Sequence, residues 1–225
     1  MKESTLNCKE IRAVLFDLDG TLADTILDLG NSVNTILGNH GYSGYPIEDY
    51  KMMVGNGFPK LFDRALPQSV PRDSEEFDTI VEEAKNLYHR ESLVYTKSFP
   101  GIVSMLASLK EKGIACAVLS NKPDPMTKTI VKNLFPGYPF FAIQGDSPGL
   151  PQKPDPTKAL AIVASSSIPL CHWAFVGDSG VDMQTGLASG MISIGVLWGY
   201  RSAEELKEAG ASYLFASPKA LAASL

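Results

Sequence analysis

The 225 residues suffice for one large domain or one domain carrying an insertion, and a 44% share of hydrophobic residues supplies an ordinary core. A formal net charge of −5 with no long Lys/Arg run argues against a nucleic-acid surface. No stretch approaches the ~20 apolar residues of a membrane span, and "MKESTLNCKEIR" lacks the apolar segment of a secretion signal, so a cytoplasmic location with no membrane partner is expected.

The first element is an apolar run, residues 13–16 of "AVLFDLDGTLADT", read as a buried strand that ends in Asp17 and Asp19. Two like charges beside a buried strand carry a desolvation penalty unless a cation and donors arrive from elsewhere. Residues 24 to about 95 then turn helical. Ile26, Leu29, Val33, Ile36 and Leu37 recur at helical spacing, as do Phe77, Ile80, Val81, Ala84, Leu87 and Tyr88. Asp73 and Glu76 have the spacing of a capping box for the second of these helices. With no good strand candidate between them, this region is expected to be an all-helical insertion.

From residue 96 onward the pattern alternates. Ile102, Met105, Leu106 and Leu109 share a helix face that stops at Gly113. Short apolar runs at 115–121, 140–146, 172–179 and 192–199 read as parallel strands covered on both faces, with helices at 155–167 and 182–190 between them. The expected fold is α/β, a doubly wound parallel sheet with right-handed crossovers. Its domains are a core of residues 1–23 and 96–225 and a helical cap of 24–95. Cys8, Cys116 and Cys171 are widely separated and are expected to be reduced, mostly buried thiols.

Four polar clusters fall at the C-terminal ends of these strands: Asp17/Asp19, Ser120/Asn121, Lys153, and Asp178/Asp182. In open α/β sheets that edge is where ligands bind. Converging carboxylates with no His or Cys suit a hard cation such as Mg²⁺, which favours oxygen ligands and phosphate. Ser120 and Lys153 offer a hydroxyl and an ammonium to an anion. A carboxylate can attack phosphorus once its charge and that of the phosphate are offset.

The ordered set "DLDGT", "LSNKP", "QKPDP" and "GDSGVDM" resembles the four motifs of the haloacid dehalogenase superfamily of phosphohydrolases, over essentially the whole chain. "VGNGFPKLFDRAL" (54–66) is similar to the cap motif of its phosphoglycolate phosphatases. The resemblance implies a Rossmann-like core with an inserted helical cap and a small phosphate ester as substrate; a monomer or homodimer is expected. It implies Asp17 as nucleophile, Asp19 as acid/base, and Ser120 and Lys153 on the transferring phosphoryl group. The metal ligands would be Asp17, the backbone carbonyl of Asp19, and Asp178, with Asp182 outer-sphere. Thr21, Asn121, Gly55, Asn56, Gly57 and Arg64 are the further substrate-binding candidates, and Lys60 and Arg64 are placed to meet a substrate carboxylate. A sugar phosphomutase or a pyrophosphatase on the same core is the alternative. Halide displacement is disfavoured by Asp19, whose acid/base chemistry serves an alkoxide leaving group.

Overall fold

The computed structural model describes residues 11–225; Cys8 and the first ten residues assigned to the core lie outside them. In chain order come β1 (Ala13–Phe16), β2 (Ala23–Asp24), α1 (Ile26–Asn39), α2 (Ile47–Met53), α3 (Gly57–Ala65), α4 (Glu75–Glu91), β3 (Lys97–Ser98) and α5 (Ile102–Glu111). There follow β4 (Ala115–Pro123), α6 (Asp124–Leu134), β5 (Ile143–Asp146), α7 (Thr157–Ala164), β6 (Trp173–Gly177), α8 (Gly180–Ser189), β7 (Ile192–Val196), α9 (Ala203–Glu208), β8 (Tyr213–Phe215) and α10 (Pro218–Ser224).

Six strands form one parallel sheet in the order β5-β4-β1-β6-β7-β8. Strand side chains alternate between faces, and both faces of β1 are buried. Val14 and Phe16 join a cluster with Cys116, Val118, Ala174, Val176 and the helices α5, α6 and α10. Ala13 and Leu15 join the opposite one, with Ala117, Leu119, Phe175 and α7. The chain builds outward from β1 through β4 to β5, then returns to the other side of β1 at β6. The reversal leaves a crevice at the C-terminal end of β1, the topological switch point of such sheets.

Helices α1 to α4 lie between β2 and β3 and have a hydrophobic core of their own, built on Val33, Leu37, Tyr50, Phe62, Ile80 and Tyr88. The two chain passages that join this insertion to the sheet pair antiparallel, Ala23 with Ser98 and Asp24 with Lys97. Just beyond them the buried Asp28 carboxylate accepts from the backbone N–H groups of Tyr95 and Thr96, at 3.0 and 2.8 Å. The outgoing and returning segments are thereby tied together.

Several expectations are corrected. The N-cap of α4 is Ser74, whose hydroxyl accepts from Phe77 N at 3.1 Å, not Asp73; a hydroxyl one residue later reaches the third helical N–H. Cys116 is buried, but Cys171 is exposed, on the short turn before β6. Strand β8 went unread because three residues carry too little pattern.

Candidate functional site

The sheet's geometry gathers the motif residues. Asp17 follows β1, Ser120 and Asn121 lie in β4, Lys153 precedes α7, and Asp178 follows β6. Asp182 sits in the first turn of α8, where it completes a capping box with Ser179. Lys153 Nζ lies 2.8 Å from Asp17 Oδ1 and 2.7 Å from Asp182 Oδ1. Asp182 Oδ2 accepts from the Ser179 amide and hydroxyl, so both its oxygens are engaged. Asp178 accepts from the Thr21 hydroxyl at 3.0 Å and the Tyr200 amide at 2.8 Å.

Oxygens of Asp17, Asp178 and Asp182 all lie within 4.8 Å of one another, and all three residues are buried. Burial, then the neighbouring Asp182 charge, raises the Asp17 carboxyl well above its ordinary value, against the pull of Lys153. Burial and Asp182 push Asp178 up to about 7, against its two hydrogen-bond donors. For Lys153, burial favours the neutral amine, but Asp17 and Asp182 outweigh it and hold the ammonium. Negative charge thus exceeds what one ammonium neutralises. An all-oxygen, underneutralised cluster fits a hard divalent cation.

A cleft opens beside this cluster, over Asp17 and Lys153. Asp17, Asp19, Ser120, Asn121, Lys122 and Lys153 line it from the sheet; Thr25, Leu29, Val54, Gly55, Gly57, Phe58 and Leu61 line it from the insertion side. The Thr25 hydroxyl donates to Asp19 Oδ1 at 2.5 Å. Asn121 accepts from Lys153 N at 2.8 Å and donates to Lys153 O at 2.9 Å and to Gly55 O at 3.0 Å. Its side chain therefore positions the lysine loop and touches the insertion.

Four expected substrate contacts, Thr21, Asn56, Lys60 and Arg64, lie outside the cleft lining. Thr21 is fully buried and spends its hydroxyl on Asp178. Arg64 donates to Met53 O at 2.6 Å and Asn56 Oδ1 at 2.8 Å, so the two residues brace their own loop outside the cleft lining. Lys60 points to solvent beside Asp63. The cation that does line the cleft beside Lys153 is Lys122, read in the sequence only as part of "LSNKP". Its Nζ lies 3.1 Å from Asp19 Oδ1, bonds the Tyr88 hydroxyl of α4 and sits 4.2 Å over the Tyr88 ring. Burial lowers its pKa, partly offset by Asp19.

The segment after β7 was also missed. Trp198 Nε1 donates to Thr21 O at 2.9 Å, and the Tyr200 hydroxyl accepts from Thr25 N at 3.0 Å. Arg201 donates to the carbonyls of Lys51, Met52 and Val54 at the end of α2.

A parallel sheet with an acidic cluster and a lysine at its C-terminal edge, roofed by a helical insertion, defines a phosphoryl-transfer type of α/β hydrolase. Residues 14–196 match the family of haloacid dehalogenase-like hydrolases, and the chain belongs to that family. It is 34% identical over 202 residues to a phosphoglycolate phosphatase of Pseudomonas fluorescens, covering 88% of this chain and 73% of that one. To the phosphoglycolate phosphatase of Neisseria meningitidis it is 33% identical over 196 residues, 85% of this chain and 83% of the other. A provisionally named phosphoglycolate phosphatase from Lactobacillus delbrueckii subsp. bulgaricus superposes with a TM-score of 0.88 at 29% identity, covering 95% of this chain and 97% of that one. The chain is a phosphatase of this phosphoglycolate phosphatase-like kind.

Proposed function

We propose that the chain is a Mg²⁺-dependent phosphomonoester hydrolase working through an aspartyl-phosphate, with phosphoglycolate as its substrate. The observation that carries this is the convergence of Asp17, Asp19, Ser120 and Lys153 on one cleft beside a buried carboxylate cluster. Asp17 attacks phosphorus. Asp19 protonates the departing alkoxide, then takes a proton from the water that hydrolyses the acyl phosphate. The Thr25 hydroxyl and Lys122 ammonium on Asp19 Oδ1 hold that carboxyl in place. Lys153 and Ser120 bind the phosphoryl oxygens, and Asn121 orients the lysine loop.

Asp17, Asp178 and the backbone carbonyl of Asp19 would hold Mg²⁺. The full engagement of Asp182 by Lys153 and Ser179 supports an outer-sphere role for it. When bound, the cation supplies neutralisation of phosphoryl charge. The helical insertion is a cap whose closure keeps bulk water from the bound ester, and whose opening admits the water that hydrolyses the acyl phosphate.

A sugar phosphomutase reading draws less support, because Leu29, Val54, Phe58 and Leu61 dominate the roof and offer sugar hydroxyls no side-chain partner. Phosphate release from phosphoglycolate, p-nitrophenyl phosphate, pyrophosphate, sugar phosphates and nucleotides tests the proposal, run with Mg²⁺, with EDTA and with Asp17→Asn. Fast Mg²⁺-dependent release from phosphoglycolate, lost in the variant, is expected. Metal-independent release, or a fully active Asp17→Asn, would overturn the mechanism. A clear preference for another ester would overturn the substrate alone.

A further inference from the structure

The leaving group of any ester bound with its phosphorus at Asp17 must lie on the Asp19 side of the cleft, under the insertion. Ser120 and Lys122 both line the cleft from the end of β4, where the pairing is irregular between Leu119 and Pro123. Lys122 lies against Asp19 and against Tyr88 of the insertion.

A buried ammonium is expensive unless its donors are used. Asp19 and the Tyr88 hydroxyl take two of the three N–H groups of Lys122, and the residue lines the cleft. The other lysine of the lining, Lys153, is held between Asp17 and Asp182. Around the leaving-group space stand Leu29, Val54, Phe58 and Leu61, while the Thr25 hydroxyl is donated to Asp19. A leaving group here therefore meets apolar walls and one cation.

We infer that Lys122 is the specificity-determining residue of the site: its ammonium recognises an anionic group carried next to the ester oxygen, a carboxylate in the substrate class proposed above. The inference rests on that reading for the orientation of the ester. Because Lys122 already contacts the acid/base, an anion one carbon from the bridging oxygen meets the ammonium in the same pose that brings that oxygen to Asp19. Arg64 and Lys60, the cations that the sequence offers for this task, are not part of the cleft lining.

The test compares kcat/KM for phosphoglycolate, for ethyl phosphate, which replaces the carboxylate by a methyl group, and for pyrophosphate, whose leaving group is a phosphate anion. The unaltered protein should favour phosphoglycolate over ethyl phosphate by about 30-fold or more, the worth of one charge-assisted hydrogen bond. Lys122→Met should collapse that ratio towards one, mainly through KM for the anionic ester, while Tyr88→Phe, which keeps the ammonium, should preserve it. A preference for ethyl phosphate in the unaltered protein would overturn the inference without any variant needing to fold. So would equal losses on both esters in Lys122→Met, which would assign the lysine to Asp19 alone, or loss of the ratio in Tyr88→Phe. A ratio that collapses for pyrophosphate, with phosphoglycolate a poor substrate, would keep Lys122 as the anion reader and reject phosphoglycolate. Phosphoglycolate hydrolysed with a ratio near one would keep the phosphatase reading and reject this one.

Discussion

Asp178→Asn should make the metal-free protein more stable at neutral pH while destroying its activity. The Asp178 carboxyl, ordinarily near 3.8, is pushed up to about 7 in the folded protein. Between those values the folded chain keeps a proton that the unfolded chain has released. Stability therefore falls as pH rises from about 4 to about 7 and levels off above it. At ~1.4 kcal/mol for each tenfold difference in proton affinity, the penalty is about 4 kcal/mol.

Asparagine carries no charge and matches the shape. Its single oxygen can accept from the Tyr200 amide, and the Thr21 hydroxyl can rotate to accept from its NH₂. Allowing ~1 kcal/mol for the altered bonds, about 3 kcal/mol remains. For a chain of this length that is a rise in Tm of roughly 6–12 °C at pH 8. Thermal melts in EDTA at pH 4.5 and 8 would measure it, with little difference expected at the acid end. Asp17 is raised in the same direction, so the variant should keep a weaker slope of the same sign. A variant that melts at or below the unaltered protein at pH 8, or by the same margin at both pH values, would refute the reasoning.

Two further substitutions probe the frame around the site. Gly20 has φ +81°, and a Cβ there would lie 2.2 Å from Asp178 Oδ2; Gly20→Ala should cost about 2 kcal/mol in backbone strain. The same change, by displacing Asp178, should lower kcat about 100-fold; steady-state rates beside a thermal melt would show both effects, and an active variant would disprove the contact. Arg201→Ala frees the carbonyls of Lys51, Met52 and Val54. A fall in kcat/KM of about tenfold is expected, with little recovery in Arg201→Lys because an ammonium cannot span the fork; an unchanged kcat/KM would mean that the grip on α2 is not used in turnover.

Asp17, Asp19, Ser120 and Asp178 were legible because they stand at or just past the end of an apolar run, whereas Lys153 lies in the loop between β5 and α7 and was legible only from its motif. The helical insertion was legible for a similar reason: its stripes at Ile26–Leu37 and Phe77–Tyr88 are long enough to set a period, and every position of both is buried except the half-exposed Leu87. What stayed hidden depends on contacts across the fold. Lys122 is two residues from Ser120, yet its place in the cleft is fixed by Tyr88, which arrives from α4. Arg64 and Asn56 satisfy each other locally, and no spacing rule distinguishes that pairing from a ligand contact. Tyr200 and Arg201 matter only because β7 lies beside β6, which carries their loop over Asp178.

That loop has an unusual standing among surface connections. Most loops accept an added residue at small entropic cost. In residues 197–202, consecutive side chains and amides are bonded to fixed points on different parts of the molecule: Trp198 to Thr21, Tyr200 to Asp178 and Thr25, and Arg201 to the end of α2. An insertion between any two would satisfy one anchor only by abandoning the next. Its length is therefore as constrained as the spacing within a catalytic motif, although no residue in it performs a chemical step. Affinity tags, grafted epitopes and circular breaks belong elsewhere, at the ends of exposed turns that bear no such span.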